Sequence, residues 1–202
     1  MQPRRLNSHK GSVGSAGVGG GALSMTGAAL LAGRAALKLG AGRVYLGLLD
    51  PHARLDPMQP ELMIRHPAGL LDAKLTALAC GPGLGGSLEA AQFLERTLAC
   101  DLPLVLDADA LSLLAQEGNL KSTLATRAHA TLLTPHPGEA ASLLDCPITD
   151  IQNDRITAAC EIARQFHSLV ALKGCGTVVA TPEGQWWINT TGNPGMATAG
   201  MG

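Results

Sequence analysis

Stretches that favour strands alternate with stretches that favour helices along almost the whole chain, and this alternation limits the fold more than any single motif does. Strand signals fall at residues 43–49, 61–64, 75–80, 103–106, 130–134 and 168–173. Helical patterns occupy residues 27–39, 87–98, a stretch opening at residues 107–110, a short stretch after Glu139, and 149–167. Ser15-Ala16-Gly17-Val18-Gly19-Gly20-Gly21 is poor strand material because of its glycines, but its place before a helix makes it a short first strand. Strands separated by helices build a mostly parallel sheet with helices on both faces. A hairpin closes the pattern: Thr177 to Thr181, the turn Pro182-Glu183-Gly184, then Gln185 to Asn189. No linker, repeat or low-complexity tract interrupts it, so residues 1–202 read as a single α/β domain.

Local signals refine this outline. Thr26 suits the N-cap of the first helix and Gly40 its stop. Arg34 and Lys38 mark a narrow polar stripe, so the rest of that helix is expected to be mostly buried. Ser87 caps the 87–98 helix, with Glu89 favourably placed in its first turn. Thr149-x-x-Gln152 has the form of a capping box for the helix to His167, whose apolar face is Ile156, Ala159, Ala163 and Phe166. Trp186 and Trp187 alternate faces in the last strand, which should send one ring to the core.

Composition narrows the function. Hydrophobic residues make up 46% and aromatic ones 2%, an interior of small side chains that suits close helix–sheet layers. A net charge of −1 without any basic run argues against nucleic acid as a partner. The five cysteines are widely spaced and contain no C-x-x-C pair, so they read as reduced core residues of a cytoplasmic protein. The N-terminus lacks an apolar signal core. The longest apolar patch, around residues 28–39, is broken by Gly33, Arg34 and Lys38, which excludes a membrane span there.

In open parallel sheets ligands sit beyond the carboxyl ends of the strands, and the unusual segments of this chain fall there. Gly81-Pro82-Gly83-Leu84-Gly85 either lets a ligand lie against backbone or simply closes a turn; it is not the G-x-G-x-x-G fingerprint. Asp107 and Asp109 could hold magnesium or substrate hydroxyls, or Asp109 could cap a helix. His136 could hydrogen-bond a substrate and Glu139 orient water or a metal, or Pro137 and Glu139 could serve to start a helix; the spacing is not that of a zinc site. Lys173-Gly174-Cys175-Gly176-Thr177 joins a cation, two glycines and a hydroxyl, which suits a nucleotide phosphate or ribose. Lys comes first and no helix follows, unlike a phosphate-binding P-loop. The terminal run from Gly192 to Gly202 is rich in glycine and alanine and reads as an anion hole for a transferring phosphate, or as a plain flexible turn.

Taken in order, His9-Lys10-Gly11, Gly27-Ala28-Ala29, Gly40-Ala41-Gly42, Gly81 to Gly85, Asp107-Ala108-Asp109-Ala110-Leu111, Thr134 to Glu139, Leu172 to Thr177 and Gly192-Asn193-Pro194-Gly195-Met196-Ala197 closely resemble the ADP-dependent NAD(P)H-hydrate dehydratase family. That family is the carbohydrate-kinase-like half of the bifunctional nicotinamide repair proteins. The resemblance implies a ribokinase-like fold and a repair reaction in which the S-epimer of hydrated NADH or NADPH is dehydrated at the expense of ADP, giving NAD(P)H, AMP and phosphate. It further implies that Ala28, Gly83 and His136 contact the hydrated dinucleotide, that Lys173, Gly174, Cys175, Gly176 and Thr177 line the ADP site, that Gly202 joins the anion hole, and that Mg2+ accompanies ADP. An epimerase, separate or fused, and a homo-oligomeric assembly are the expected partners.

Two departures from the family pattern bear on activity. The family's last motif continues through a Gly-Asp pair whose Asp is the expected base, whereas this sequence stops at Gly202. The base and the last elements of the fold are therefore expected to be missing, with activity impaired. Met201 stands where the family commonly has Thr or Ser. A vitamin-precursor kinase of the same superfold, or a non-catalytic nucleotide-binding remnant, are the alternative readings.

Overall fold

The computed structural model describes His9, Gly11, residues 13–196 and Thr198. The chain divides into two compact units, Met1–Leu104 and Val105–Gly202.

In the first unit the strands β1 (Ser15–Gly20), β2 (Arg43–Leu48), β3 (Met63–Arg65) and β4 (Ala77–Cys80) lie in the order β3-β2-β1-β4, and all their pairings are parallel. Helix α1 (Thr26–Lys38) crosses from β1 to β2, α2 (Pro67–Leu71) follows β3, and α3 (Leu88–Leu98) follows β4. Two neighbouring residues of β2 show how the faces are covered. The Leu46 side chain reaches α1, where a Cβ on Gly33 would come within 2.7 Å of it. Gly47 turns the other way, and a Cβ there would lie 2.9 Å from Leu70 of α2. Successive strand residues point to opposite faces, so α1 and α2 cover both sides of β2. Val18, Ala29, Val44, Leu46, Leu48 and Leu62 form the core beneath α1.

The second unit opens with β5 (Leu104–Leu106), which straddles the boundary, followed by α4 (Asp109–Gln116), α5 (Gly118–Ala125), β6 (Thr131–Leu133), α6 (Pro137–Leu144), α7 (Ile148–Asn153), α8 (Arg155–Gln165), β7 (Leu169–Leu172), β8 (Thr177–Ala180) and β9 (Trp186–Asn189). Its strand order is β5-β6-β7-β8-β9, with β6 and β7 parallel and the final hairpin antiparallel. Val170 and Leu172 pair with Ala180 and Val178, and all four are buried on the side that α8 covers. Leu169 and Trp187, which alternate to the opposite side, are 41% and 54% exposed.

Several expectations need correction. Thr26 is not the N-cap of α1: Met25 holds that place, and the Thr26 hydroxyl instead donates to Asp50 Oδ2 at 3.1 Å. Helix α1 buries only Ala29 and Gly33, because a single stripe of a helix laid on a sheet meets the strands. The expected 149–167 helix is two helices. Its Thr149–Gln152 box lies inside α7, while Asp154, at φ −143°, breaks the chain and caps α8 by accepting from Thr157 N–H at 2.9 Å. Asp is as strong an N-cap as any residue and satisfies the N–H groups that open a helix. Trp186 is 47% exposed, so neither indole is in the core. Of the cysteines only Cys80 is buried, and Cys175 is exposed. Helices α2 and α5 were not legible as separate elements. Among the described residues no helix is long and apolar enough to cross a membrane.

Candidate functional site

In the first unit β1 and β4 are neighbours, so their carboxyl ends lie side by side. Two hydrogen bonds lock the loops that follow: Gly21 N–H donates to Pro82 O at 3.0 Å and Ala22 N–H to Gly83 O at 2.6 Å. Gly83 has φ +62°, and a Cβ there would collide with the backbone oxygen of Met25. Only glycine fits a left-handed conformation at such close approach. The same Met25 oxygen accepts from Ala28 N–H at 3.2 Å. The structure thus brings Gly83 and half-buried Ala28 together around the start of α1. Asp50, at the end of β2, adds a carboxylate that holds Thr26 and the His52 N–H; no spacing signal marked it.

In the second unit Lys173 closes β7 and Asp107 closes β5. Their side chains meet at 2.6 Å, Nζ to Oδ1, with 24% and 28% of their surfaces exposed. The two segments were legible separately, but a separation of 66 residues hid the pair. The Lys173 N–H also donates to Pro135 O at 2.8 Å, which ties this turn to the loop that carries His136.

His136 is the N-cap of α6. Its Nδ1 accepts from the N–H groups of Gly138 and Glu139 at 3.0 and 3.2 Å, and Glu139 Oε2 accepts the His136 N–H at 2.7 Å. This is a reciprocal capping box with an imidazole in the place of a hydroxyl. Because Nδ1 is an acceptor, the ring proton of the neutral form sits on Nε2, 3.3 Å from Glu139 Oε1. The imidazole is still 56% exposed, whereas the carboxylate is almost enclosed. Asp109 is not a cap either: Ala108 takes that position at φ +50°, and Asp109 lies in the first turn of α4. Among the described residues no cluster of three His, Cys, Asp or Glu side chains could hold a metal ion.

The turn from β7 to β8 has Gly174 at φ +143° and Gly176 at φ +67°, and the Thr177 hydroxyl donates to Gly174 O at 3.1 Å. Arg155, the first residue of α8, donates to the carbonyls of Leu172, Lys173 and Cys175. Nothing in the spacing of the sequence pointed to it. Gly202 lies outside the described residues.

The match to known proteins decides the family. Residues 16–202 fit the family model described as NAD(P)H-hydrate dehydratase. The chain belongs to the NAD(P)H-hydrate dehydratase family. It is 39% identical to the ADP-dependent (S)-NAD(P)H-hydrate dehydratase of Neisseria meningitidis, covering 100% of this chain and 70% of that protein. The crystal structure of the Bacillus subtilis ADP/ATP-dependent dehydratase, co-crystallised with ATP and Mg2+, superposes with a TM-score of 0.80 at 34% identity over 99% of this chain and 72% of that one. A ribokinase-like protein from Enterococcus faecalis superposes at 0.82, with 27% identity over 99% and 71%. The mostly parallel α/β sheet expected from the strand and helix pattern, and the ribokinase-like fold implied by the family resemblance, are therefore both correct. The chain spans only 41% of the bifunctional repair enzyme from Coxiella burnetii that it also matches.

Proposed function

We propose that this chain carries the ADP-dependent dehydration of the S-epimer of hydrated NADH or NADPH, giving NAD(P)H, AMP and phosphate. The observation that carries the reading is the Lys173-led turn, held against Asp107 at 2.6 Å within a chain whose residues 16–202 fit the dehydratase family. In this reading Lys173, Gly174, Cys175, Gly176 and Thr177, with Gly202, bind ADP, and Ala28, Gly83 and His136 contact the hydrated nicotinamide dinucleotide. The small residues let backbone amides approach phosphate oxygens, and Lys173 sets one positive charge beside them.

Dehydration by this route is phosphoryl transfer followed by elimination. A carboxylate takes the proton of the ring hydroxyl, the hydroxyl oxygen attacks the β-phosphorus of ADP, and AMP leaves. The ring then expels phosphate and regains its double bond. Catalysis in such a reaction comes mainly from positioning and charge stabilisation. In the family motif the base follows the position of Gly202, and the residues named above supply the binding. Mg2+ is expected to arrive on the diphosphate, the usual mode for a cation that prefers phosphate oxygens and water. A cytoplasmic location, a homo-oligomer and an epimerase that supplies the S-epimer complete the reading; the bifunctional relatives support the last.

The test incubates hydrated NADH with ADP and Mg2+ in the presence of a chain that continues through the Gly-Asp pair. Equal amounts of NADH, AMP and phosphate are expected. Transfer of phosphate from ATP to a vitamin-precursor alcohol, with hydrated NADH untouched, would overturn the assignment in favour of a kinase.

A further inference from the structure

Arg155 sits at the amino end of α8 and is spent entirely on backbone. Its Nη2 donates to Leu172 O at 2.9 Å and to Lys173 O at 3.1 Å, and its Nη1 to Cys175 O at 3.4 Å. Its buried Nε has no hydrogen-bond partner among the described residues. A guanidinium pressed this closely needs a bare backbone opposite it: a Cβ on Gly174 would lie 2.6 Å from Nη1. Gly174 also adopts φ +143°, which L side chains avoid.

The peptide unit is planar and trans, so a carbonyl and the N–H that follows it point in opposite directions. Drawing the Lys173 and Cys175 carbonyls onto Arg155 therefore turns the Gly174 and Gly176 N–H groups away from it. The Leu172 carbonyl is drawn the same way, and the N–H across that peptide bond donates to Pro135. We infer that Arg155 is a positioning residue for nucleotide binding. It reads no part of the ligand itself. It clamps three carbonyls so that the amides of the Lys173–Thr177 turn are presented to an anionic diphosphate before the ligand arrives. Preorganised amides do not have to be turned when the anion binds, and this is where their advantage over flexible ones lies. The inference rests on the assignment of this turn to ADP.

The charge of Arg155 matters less here than its planar fork, which can reach several carbonyls at once; a Lys ammonium cannot reproduce that geometry. Arg155→Lys and Arg155→Met therefore form the test. Calorimetry on the chain measures the affinity for ADP and, separately, for NADPH as a dinucleotide probe, beside the melting temperature. Both variants should weaken ADP by about tenfold or more, by analogy with the loss of the partner that orients a metal-binding side chain, and leave NADPH within about twofold. Free guanidinium should restore part of the ADP affinity of Arg155→Met. If either folded variant binds ADP as the parent does, the inference fails while the ADP assignment stands. If both ligands weaken together in step with the melting temperature, Arg155 is merely structural and the inference fails again. If the parent chain binds no ADP, the assignment of the turn itself falls.

Discussion

Asp56 is the most enclosed charge among the described residues, with none of its surface exposed, and its environment has a consequence in acid. Arg34 meets it with two hydrogen bonds of 2.7 Å, and the Met58 N–H adds one of 3.0 Å. The Arg34 hydrogen bonds hold the carboxyl below its ordinary value, and burial opposes them without prevailing. A carboxyl lowered in the folded state stabilises fully above its unfolded value of about 3.9, and that stabilisation is lost as pH falls through the folded value. Melting temperature should therefore drop steeply below about pH 4, and Asp56→Asn should flatten the drop while lowering stability at neutral pH. Parallel acid profiles for parent and variant would show that this pair is not the acid-sensitive contact. Cysteine reactivity gives a second check. Burial pushes the Cys80 thiol up to about 12, whereas Cys175 is exposed in the proposed ADP turn. A thiolate is the reactive form, so an alkylating reagent should label Cys175 well before Cys80. Saturating ADP should slow the labelling of Cys175 alone, as read by peptide mass spectrometry; labelling indifferent to ADP would remove the nucleotide from this turn. At this scale the sequence exposed residue types and concealed partners. Lys173 and the Asp107 pair of carboxylates stood out as strand-end groups, yet the contact between Lys173 and Asp107 spans 66 residues. Arg155 carried no signal at all, because its partners are carbonyls, which every residue has.

Among the elements, long periodic segments were legible and boundaries depended on caps. Ser87 was a recognisable cap, and its hydroxyl accepts the Ala90 N–H at 3.2 Å. The same reasoning misplaced the start of α8, since a Thr-x-x-Gln pattern inside α7 competed with Asp154 for the role. The outcome bears on the site, because the break at Asp154 is what lets α8 begin with Arg155 facing the β7–β8 turn. Asp154→Ala should lower stability, as loss of an N-cap does, and should weaken ADP as well by loosening Arg155. Chemical denaturation and calorimetry on the same sample test both effects; a loss of stability with unchanged ADP affinity would separate the cap from the clamp. The capping box of α6 makes a contrasting case. Thr134-Pro135-His136-Pro137-Gly138-Glu139 was ambiguous between substrate contact and helix start, and the structure shows the second use in full while leaving the imidazole half exposed. A capping residue on a rigid helix start is a well-fixed group, so the geometry is compatible with both uses, and no pattern in one sequence separates them.

For the molecule as a whole, the two readings of the chain, as an enzyme and as a nucleotide-binding remnant, differ in what turnover demands beyond binding. The groups assigned to ADP within the described residues, Lys173 through Thr177, hang from β7 and β8, whose shared face with α8 is buried. That local support is present in the 202 residues themselves. Binding should accordingly survive in this chain alone: ADP at about a hundredfold excess over its Kd should raise stability by about 2.7 kcal/mol, visible as an upward shift of the melting temperature. Turnover is a separate requirement, because phosphoryl transfer to a hydroxyl needs a group to take its proton, and the family motif places that carboxylate after Gly202. A polypeptide limited to these 202 residues should bind ADP, and its release of AMP from hydrated NADH tests whether the proton acceptor lies within them. A chain continued through the Gly-Asp pair should release AMP readily, and the same longer chain with Asn in place of that Asp should bind ADP and stall. Rapid AMP release by the shorter chain would mean that a carboxylate within it, with Asp50 and Asp109 the first to replace by Asn, does the work here assigned to the later one. Stabilisation without turnover in all three chains would instead favour the remnant, since binding would then be the whole of what the fold performs.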